Sequence, residues 1–244
     1  FSGRITPSAP LRPVFENRFE TSWSMEELAE IRSLLGRPDL PKIAERLNAA
    51  LHDERERRMK FRRELSPSVK AEFIGGETVM HSPAKARHLR ATERLSKLLS
   101  TFVDRQRLGE VFSEKALVCL TRNDYEPDIC FFGNEKASQF ESTTMEFPAP
   151  DFVVEVLSES TKHRDRGVKF DDYAEHGVGE YWIIDCEDAS LEQYLLEPEA
   201  RQFLLARKLT EGEIESAVIS GFRIPVHAIF DREVNQKTLR SILA

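Results

Sequence analysis

Cysteine is scarce in this chain: Cys119, Cys130 and Cys186 are all it has. An odd number with no Cys-x-x-Cys spacing argues against a disulfide framework and against a thiolate metal cluster. Cys119 and Cys130 lie inside apolar runs and read as small buried thiols of a reducing cytoplasm. No stretch approaches the roughly 18 consecutive apolar residues of a membrane span, and no signal-peptide apolar region is visible. The expectation is a cytoplasmic protein with no membrane partner. The chain begins at Phe1 rather than Met, so its first residues say little about targeting. An excess of positive charge is missing too. A net charge of −7 is not the balance of a protein that grips nucleic acid by charge alone, although local patches or a bound divalent cation can invert the field at a site.

A chain of 244 residues suits one domain, or one domain plus an extension. Folding such a domain buries roughly 70% of the surface its unfolded chain exposes, so neither disulfide nor metal is needed for that purpose. Residues 1–19 are proline-rich and aperiodic, an extended or disordered arm. Ser24-Met25-Glu26-Glu27 has the form of a capping box. Met25, Leu28, Ile31, Leu34 and Leu35 follow at helical spacing up to Gly36. Pro41 opens a second helix with Ile43, Leu47, Ala50 and Leu51 on one face. That helix runs into the mixed but net positive segment 53–64, which reads as a solvated, ion-paired face or as a phosphate-facing arm, and the helical pair also suits docking on a partner subunit. The spacing places the boundary near Pro67, giving a helical extension (1–67) and a domain (68–244).

Gly75-Gly76 between two short strand-like runs predicts a tight hairpin. Ser82-Pro83 predicts the start of a long helix with Leu95, Leu98, Leu99 and Phe102 as its apolar stripe, ending near Gly109. His88 is on the inward side of that helix, where a histidine serves either as a satisfied core residue or as a site residue. Lys115–Leu120 and Tyr125–Phe132 read as consecutive strands, and Gly133–Pro150 as a surface excursion. Asp151–Leu157, a helix ending at Gly177, Tyr181–Asp185 and a meander of strands to Pro225 complete the order. This is a mixed α/β (α+β) fold with one central mixed sheet flanked by helices.

The chemistry concentrates between Glu126 and Asp185. In Asp151–Leu157, Phe152, Val154 and Val156 face one side while Val153, Glu155 and Leu157 face the other. With both faces apolar, the strand is central and Glu155 is a carboxylate in a buried row. It needs a cation, a metal or a raised pKa. Asp128 shares its face with Cys130 and Phe132, and Pro127 cannot donate to a ladder, so the strand proper begins at Asp128. If the two strands are neighbours, Asp128 and Glu155 converge on one hard cation, with the Val156 carbonyl placed to join them. Such oxygen ligands suit Mg²⁺. Lys169 stands four residues after Asp165, which makes either a helix-surface ion pair or a cation leaning over the two acids.

Glu126-Pro127-Asp128, the run Pro150–Ser158 and Ser160-Thr161…Arg164-Asp165-Arg166…Lys169…Tyr173-Ala174 resemble the Uma2 family. So does Gly177-Val178-Gly179-Glu180-Tyr181-Trp182-Ile183-Ile184-Asp185. The family is described as "putative" restriction endonucleases of the PD-(D/E)XK superfamily. The hairpin Glu72…Gly76-Glu77 and the His88 helix match in order, and the resemblance covers roughly Val69 to Leu209. It implies a restriction-endonuclease-like core and Mg²⁺-dependent hydrolysis of phosphodiester bonds, with Mn²⁺ as a substitute. On this resemblance Asp128 and Glu155 are the acids. Lys169 supplies the lysine that a standard Glu-x-Lys would carry at Leu157, and Glu77 and His88 are accessory residues. DNA is the implied partner, other nucleic acid an alternative, and a homodimer the expected assembly of an enzyme that cuts both strands. The competing expectation is an inactive nuclease fold that serves as a binding or interaction module.

Overall fold

The structure, a computed structural model, describes residues 25–66 and 68–244. The arm 1–19, the Ser24 cap and Pro67, the expected boundary, lie outside the described residues. Two compact units divide between Asp53 and Glu54. In the first, α1 (Met25–Leu35) stops just before Gly36, and α2 (Leu40–Glu64) begins with Pro41 in its first turn, where an amide hydrogen is not required. Leu28, Ile31 and Ile43 are half-buried, and Leu34, Leu35, Leu47 and Leu51 are exposed.

In the second unit, the end of α2 does something the charge pattern did not suggest. Arg58 and Arg62 both grip the buried carboxylate of Asp124, at 2.5 and 2.7 Å, and Arg57 donates to the Gly76 carbonyl. Arg55, Lys60 and Arg63 stay exposed. The hairpin of β1 (Ala71–Ile74) and β2 (Glu77–Met80) turns at Gly75 and Gly76, whose φ values of 58° and 87° are those a glycine pair supplies at least cost.

The long helix α3 (Ala86–Gln106) begins after Lys85, later than Ser82-Pro83 suggested. The His81 amide still bonds the Lys70 carbonyl at 3.0 Å, so the chain leaves the hairpin extended before it can coil. Leu95, Leu98 and Leu99 are fully buried, as their spacing requires. The helix ends before Gly109, which instead opens a strand, β3 (Gly109–Ser113). A Cβ on Gly109 would lie 2.0 Å from the Phe132 carbonyl oxygen, so only glycine allows this approach.

Next come β4 (Leu117–Cys119), β5 (Asp124–Tyr125), β6 (Ile129–Gly133), α4 (Asn134–Ala137), β7 (Glu146–Phe147) and β8 (Phe152–Val156). The polar helix after Thr161 is two pieces, α5 (Lys162–Asp165) and α6 (Val168–Glu175), separated at Arg166-Gly167. Then follow β9 (Glu180–Asp185), β10 (Ser190–Glu197), β11 (Gln202–Leu209), β12 (Glu213–Glu215), β13 (Arg223–Pro225), α7 (His227–Phe230) and α8 (Arg232–Leu243).

The mixed α/β class holds, with helices flanking the sheets and a helical N-terminal extension, but the strands of the expected central sheet are divided between two, with β12 and β13 a separate two-stranded pair. A six-stranded mixed sheet runs β11-β10-β9-β8-β6-β3 with β8 and β9 parallel, and a five-stranded sheet runs β2-β1-β5-β4-β7. The run Tyr125–Phe132 is divided between them at Glu126-Pro127-Asp128. Pro127 has no amide hydrogen for a ladder. The Glu126 carboxylate accepts from the Ala71 amide at 2.9 Å and pairs with Lys115 at 2.7 Å, which fixes the crossing point.

Strand β8 is buried along its whole length, and its faces alternate as the pattern required. Phe152, Val154 and Val156 pack with α3, α7 and α8, and Val153 packs on the other face with Tyr173, Tyr181 and Cys130.

Candidate functional site

Strands β6 and β8 are antiparallel neighbours with Ile129 opposite Val154. One step beyond that pair stand Asp128 and Glu155, both buried, on the face of Cys130 and Val153. The two oxygens of Asp128 have separate partners. Oδ2 accepts the Val156 amide at 2.8 Å, so Val156 meets the acid through its N–H. Oδ1 faces Lys70 Nζ at 2.6 Å and His88 Nε2 at 3.4 Å.

His88 arrives from the first turns of α3. Its other ring nitrogen, Nδ1, is buried without a hydrogen-bond partner. Glu114 completes the group. It follows β3 with φ of 67°, a left-handed conformation that a non-glycine residue adopts at some cost, and its amide donates to the Asp128 carbonyl at 3.1 Å. Ligand atoms of His88, Glu114 and Asp128 all lie within 4.8 Å of one another, close enough to hold one metal ion. Lys70 Nζ, 3.1 Å from Glu114 Oε2 as well as 2.6 Å from Asp128, is a cation already seated between two of these ligands. Two carboxylates and an imidazole fit Mn²⁺ at least as well as Mg²⁺, since the nitrogen donor softens the all-oxygen set expected from the sequence.

A second cluster adjoins the first. Lys169, on α6, is 2% exposed, and its ammonium meets Glu72 at 2.7 Å, Glu155 at 3.0 Å and Asp165 at 3.4 Å. The Asp165–Lys169 spacing does make an ion pair, but a buried one. Tyr173 donates to Glu155 at 3.2 Å. Glu72, at the centre of β1, also accepts from the Glu126 amide at 3.1 Å and faces His81 Nε2 at 2.9 Å.

Three carboxylates share one ammonium, and the protons distribute accordingly. Burial pushes the Glu72 carboxyl up, but Lys169 and His81 outweigh it and hold it at about 2. Burial wins at Glu155, with Asp165, Asp128 and Glu72 adding to it, so this carboxyl stays well above the usual range despite Lys169. Asp165 is raised for the same first reason. Burial also works against the charge of Lys169, yet its carboxylate neighbours hold its pKa well above the ordinary lysine value. At Asp128, burial is overcome by Lys70 and His88, and the carboxyl is held far below the usual range.

Of the residues singled out in the sequence, Asp128, Glu155, Lys169, His88 and Val156 come together here. Glu77 stays exposed at the start of β2, across from Ile74, and the hairpin contributes Glu72 instead. Lys70, Glu72, Glu114 and Asp165 join the site without a motif in the sequence that marks them as site residues. Glu72 had a local signal, an acid between the apolar residues Ala71 and Phe73. Lys70 and Glu114 had none.

The family model for Uma2, described as "Putative restriction endonuclease", matches residues 57–227. An uncharacterised protein of Synechocystis is 31% identical over 158 residues, 64% of this chain and 88% of the relative. A solved structure from Anabaena variabilis, described as "a putative nuclease belonging to DUF820", superposes with a TM-score of 0.57 at 18% identity, covering 66% of this chain and 89% of that one. At that identity the likeness concerns the fold. The family match starts within the basic end of α2 and reaches past the last strand, enclosing every residue of both clusters. The chain belongs to the Uma2 family.

Proposed function

We propose that the protein is a divalent-metal-dependent nuclease that hydrolyses phosphodiester bonds of DNA, with Mg²⁺ or Mn²⁺ at Asp128. The observation that carries this reading is the convergence of Asp128, Glu114 and His88 on one point beside a buried acid–lysine pair. A metal bound there would lower the pKa of a water and neutralise charge on phosphate oxygens. The chain's own residues supply the rest. The Val156 amide holds one oxygen of Asp128 and leaves the other free to face the ligand group. Glu155, whose carboxyl is raised above the usual range first by burial, is the group suited to taking or giving a proton. Lys169 is held protonated by three carboxylates. It therefore acts as a fixed positive charge that orients the attacking water and Glu155, and not as the base. A homodimer, each copy serving one strand, belongs to the same reading.

Cleavage of plasmid, linear and single-stranded DNA with Mg²⁺ or Mn²⁺ tests it. Activity should disappear in Asp128→Ala and Lys169→Ala, and cleavage surviving both would remove these residues from the mechanism. A second reading, a nuclease fold that only binds, has one observation in its favour: Asp128 is already neutralised by Lys70. Absence of Mg²⁺ and Mn²⁺ binding in calorimetry would favour it. Among the described residues no helix is long and apolar enough to cross a membrane.

A further inference from the structure

The two lysines of the site are built differently. Lys169 is enclosed, 2% exposed and in contact with three carboxylates. The Lys70 side chain is 20% exposed and touches two, Asp128 and Glu114. Its backbone is fixed, because its carbonyl accepts the His81 amide at the open end of the hairpin. Its four-carbon stem is not fixed in this way, and a fifth of the side chain is open to solvent.

The ammonium stands 2.6 Å from Asp128 Oδ1, the oxygen that His88 also faces at 3.4 Å. A divalent ion held by His88, Glu114 and Asp128 and this ammonium would compete for the same carboxylate lone pairs. Two cations in contact on one carboxylate oxygen in a buried site repel strongly.

We propose that Lys70 is a tethered competitor for the metal, occupying the cation position of the His88–Glu114–Asp128 group until a divalent ion displaces it toward solvent. The inference rests on the reading of that group as a metal site and adds a latch to it. Lys70 keeps the buried Asp128 charge compensated in the metal-free protein, where an unpaired carboxylate would be costly. It thereby lowers metal affinity and makes loading depend on metal concentration. Lys169 has no equivalent exit and stays in place whether or not metal is bound.

The test is Mn²⁺ binding by calorimetry, with loss of the free-Mn²⁺ electron paramagnetic resonance signal as a second readout. It compares the wild type with Lys70→Met, which keeps the stem and removes the charge, and with Lys70→Gln in case the methionine variant folds poorly. Removing the competitor should tighten Mn²⁺ binding by about tenfold or more, equivalent to about 1.4 kcal/mol. Adding His88→Ala to Lys70→Met should reverse the gain and so locate it. Affinity unchanged or weakened in both folded Lys70 variants would overturn the latch while leaving the metal site standing. No binding in the wild type or in either variant would overturn the metal site itself, and the latch with it.

Discussion

The ammonium of Lys169 lies 2.7 Å from Glu72 Oε1, closer than to either of the other two carboxylates around it. Glu72 sits on β1 and Lys169 on α6, so this contact ties the five-stranded sheet to the helix that follows β8.

Removing one partner of such a pair leaves a buried charge uncompensated. Lys169→Met is therefore expected to lower the unfolding free energy by about 3–5 kcal/mol. Adding Glu72→Gln should recover part of that loss. Urea unfolding of the two single variants and the double variant gives the coupling, and strictly additive losses would mean the contact has little energetic content.

Asp124 is the anchor of the second unit's helical end. Burial alone would raise its pKa, but Arg62 and Arg58 hold it below the ordinary aspartate value of 3.8. Its contribution to stability is thus fully present above that value and is lost as pH falls through the folded pKa. At neutral pH Asp124→Asn should cost about 3 kcal/mol, because both guanidinium groups lose their shared carboxylate while Arg58 keeps the Leu120, Thr121 and Asn123 carbonyls and Arg62 keeps Glu146. The difference from wild type should shrink as the medium is acidified below pH 3.8. Chemical denaturation at neutral and acid pH measures both, and a difference independent of pH would contradict the assignment.

Glu155 predicts the opposite slope. Its folded pKa is raised above the ordinary 4.5, first by burial. The folded protein keeps this proton where the unfolded chain has released it. Stability from this group therefore declines as pH rises from about 4.5 through the folded pKa. Glu155→Gln has no proton to lose and should show a shallower decline in unfolding free energy across that range. Equal slopes for wild type and variant would place the effect on another residue.

Local pattern carried much of this fold. Alternation in Asp151–Leu157 gave both faces of β8, the Gly75-Gly76 pair gave the hairpin, and the spacing of Leu95, Leu98 and Leu99 gave the buried side of α3. Long-range relations were not written locally. Nothing near Pro127 says that the strands before and after it belong to different sheets, because that depends on Glu126 meeting Ala71 and Lys115. The strand β3 has no reading in the sequence, since Gly109 resembles a helix stop until its contact with the Phe132 carbonyl is known. Helices α7 and α8 were passed over, although Asp231, which accepts from the Val234 amide at 2.9 Å, is a capping signal visible in sequence.

The site divides in the same way. Buried acids in apolar strands are legible, as Asp128 and Glu155 are. Lys70 is one polar residue among many before a hairpin, and only the fold sets it 2.6 Å from Asp128.

The most direct test of a metal centre at Asp128 is anomalous diffraction from crystals soaked in Mn²⁺. The expected result is a peak within coordination distance of Asp128 Oδ1, shared with Glu114 and His88, with the Lys70 side chain moved away and Lys169 still beside Glu72 and Glu155. Saturating Mn²⁺ with no peak at Asp128, and Lys70 still seated on it, would contradict it.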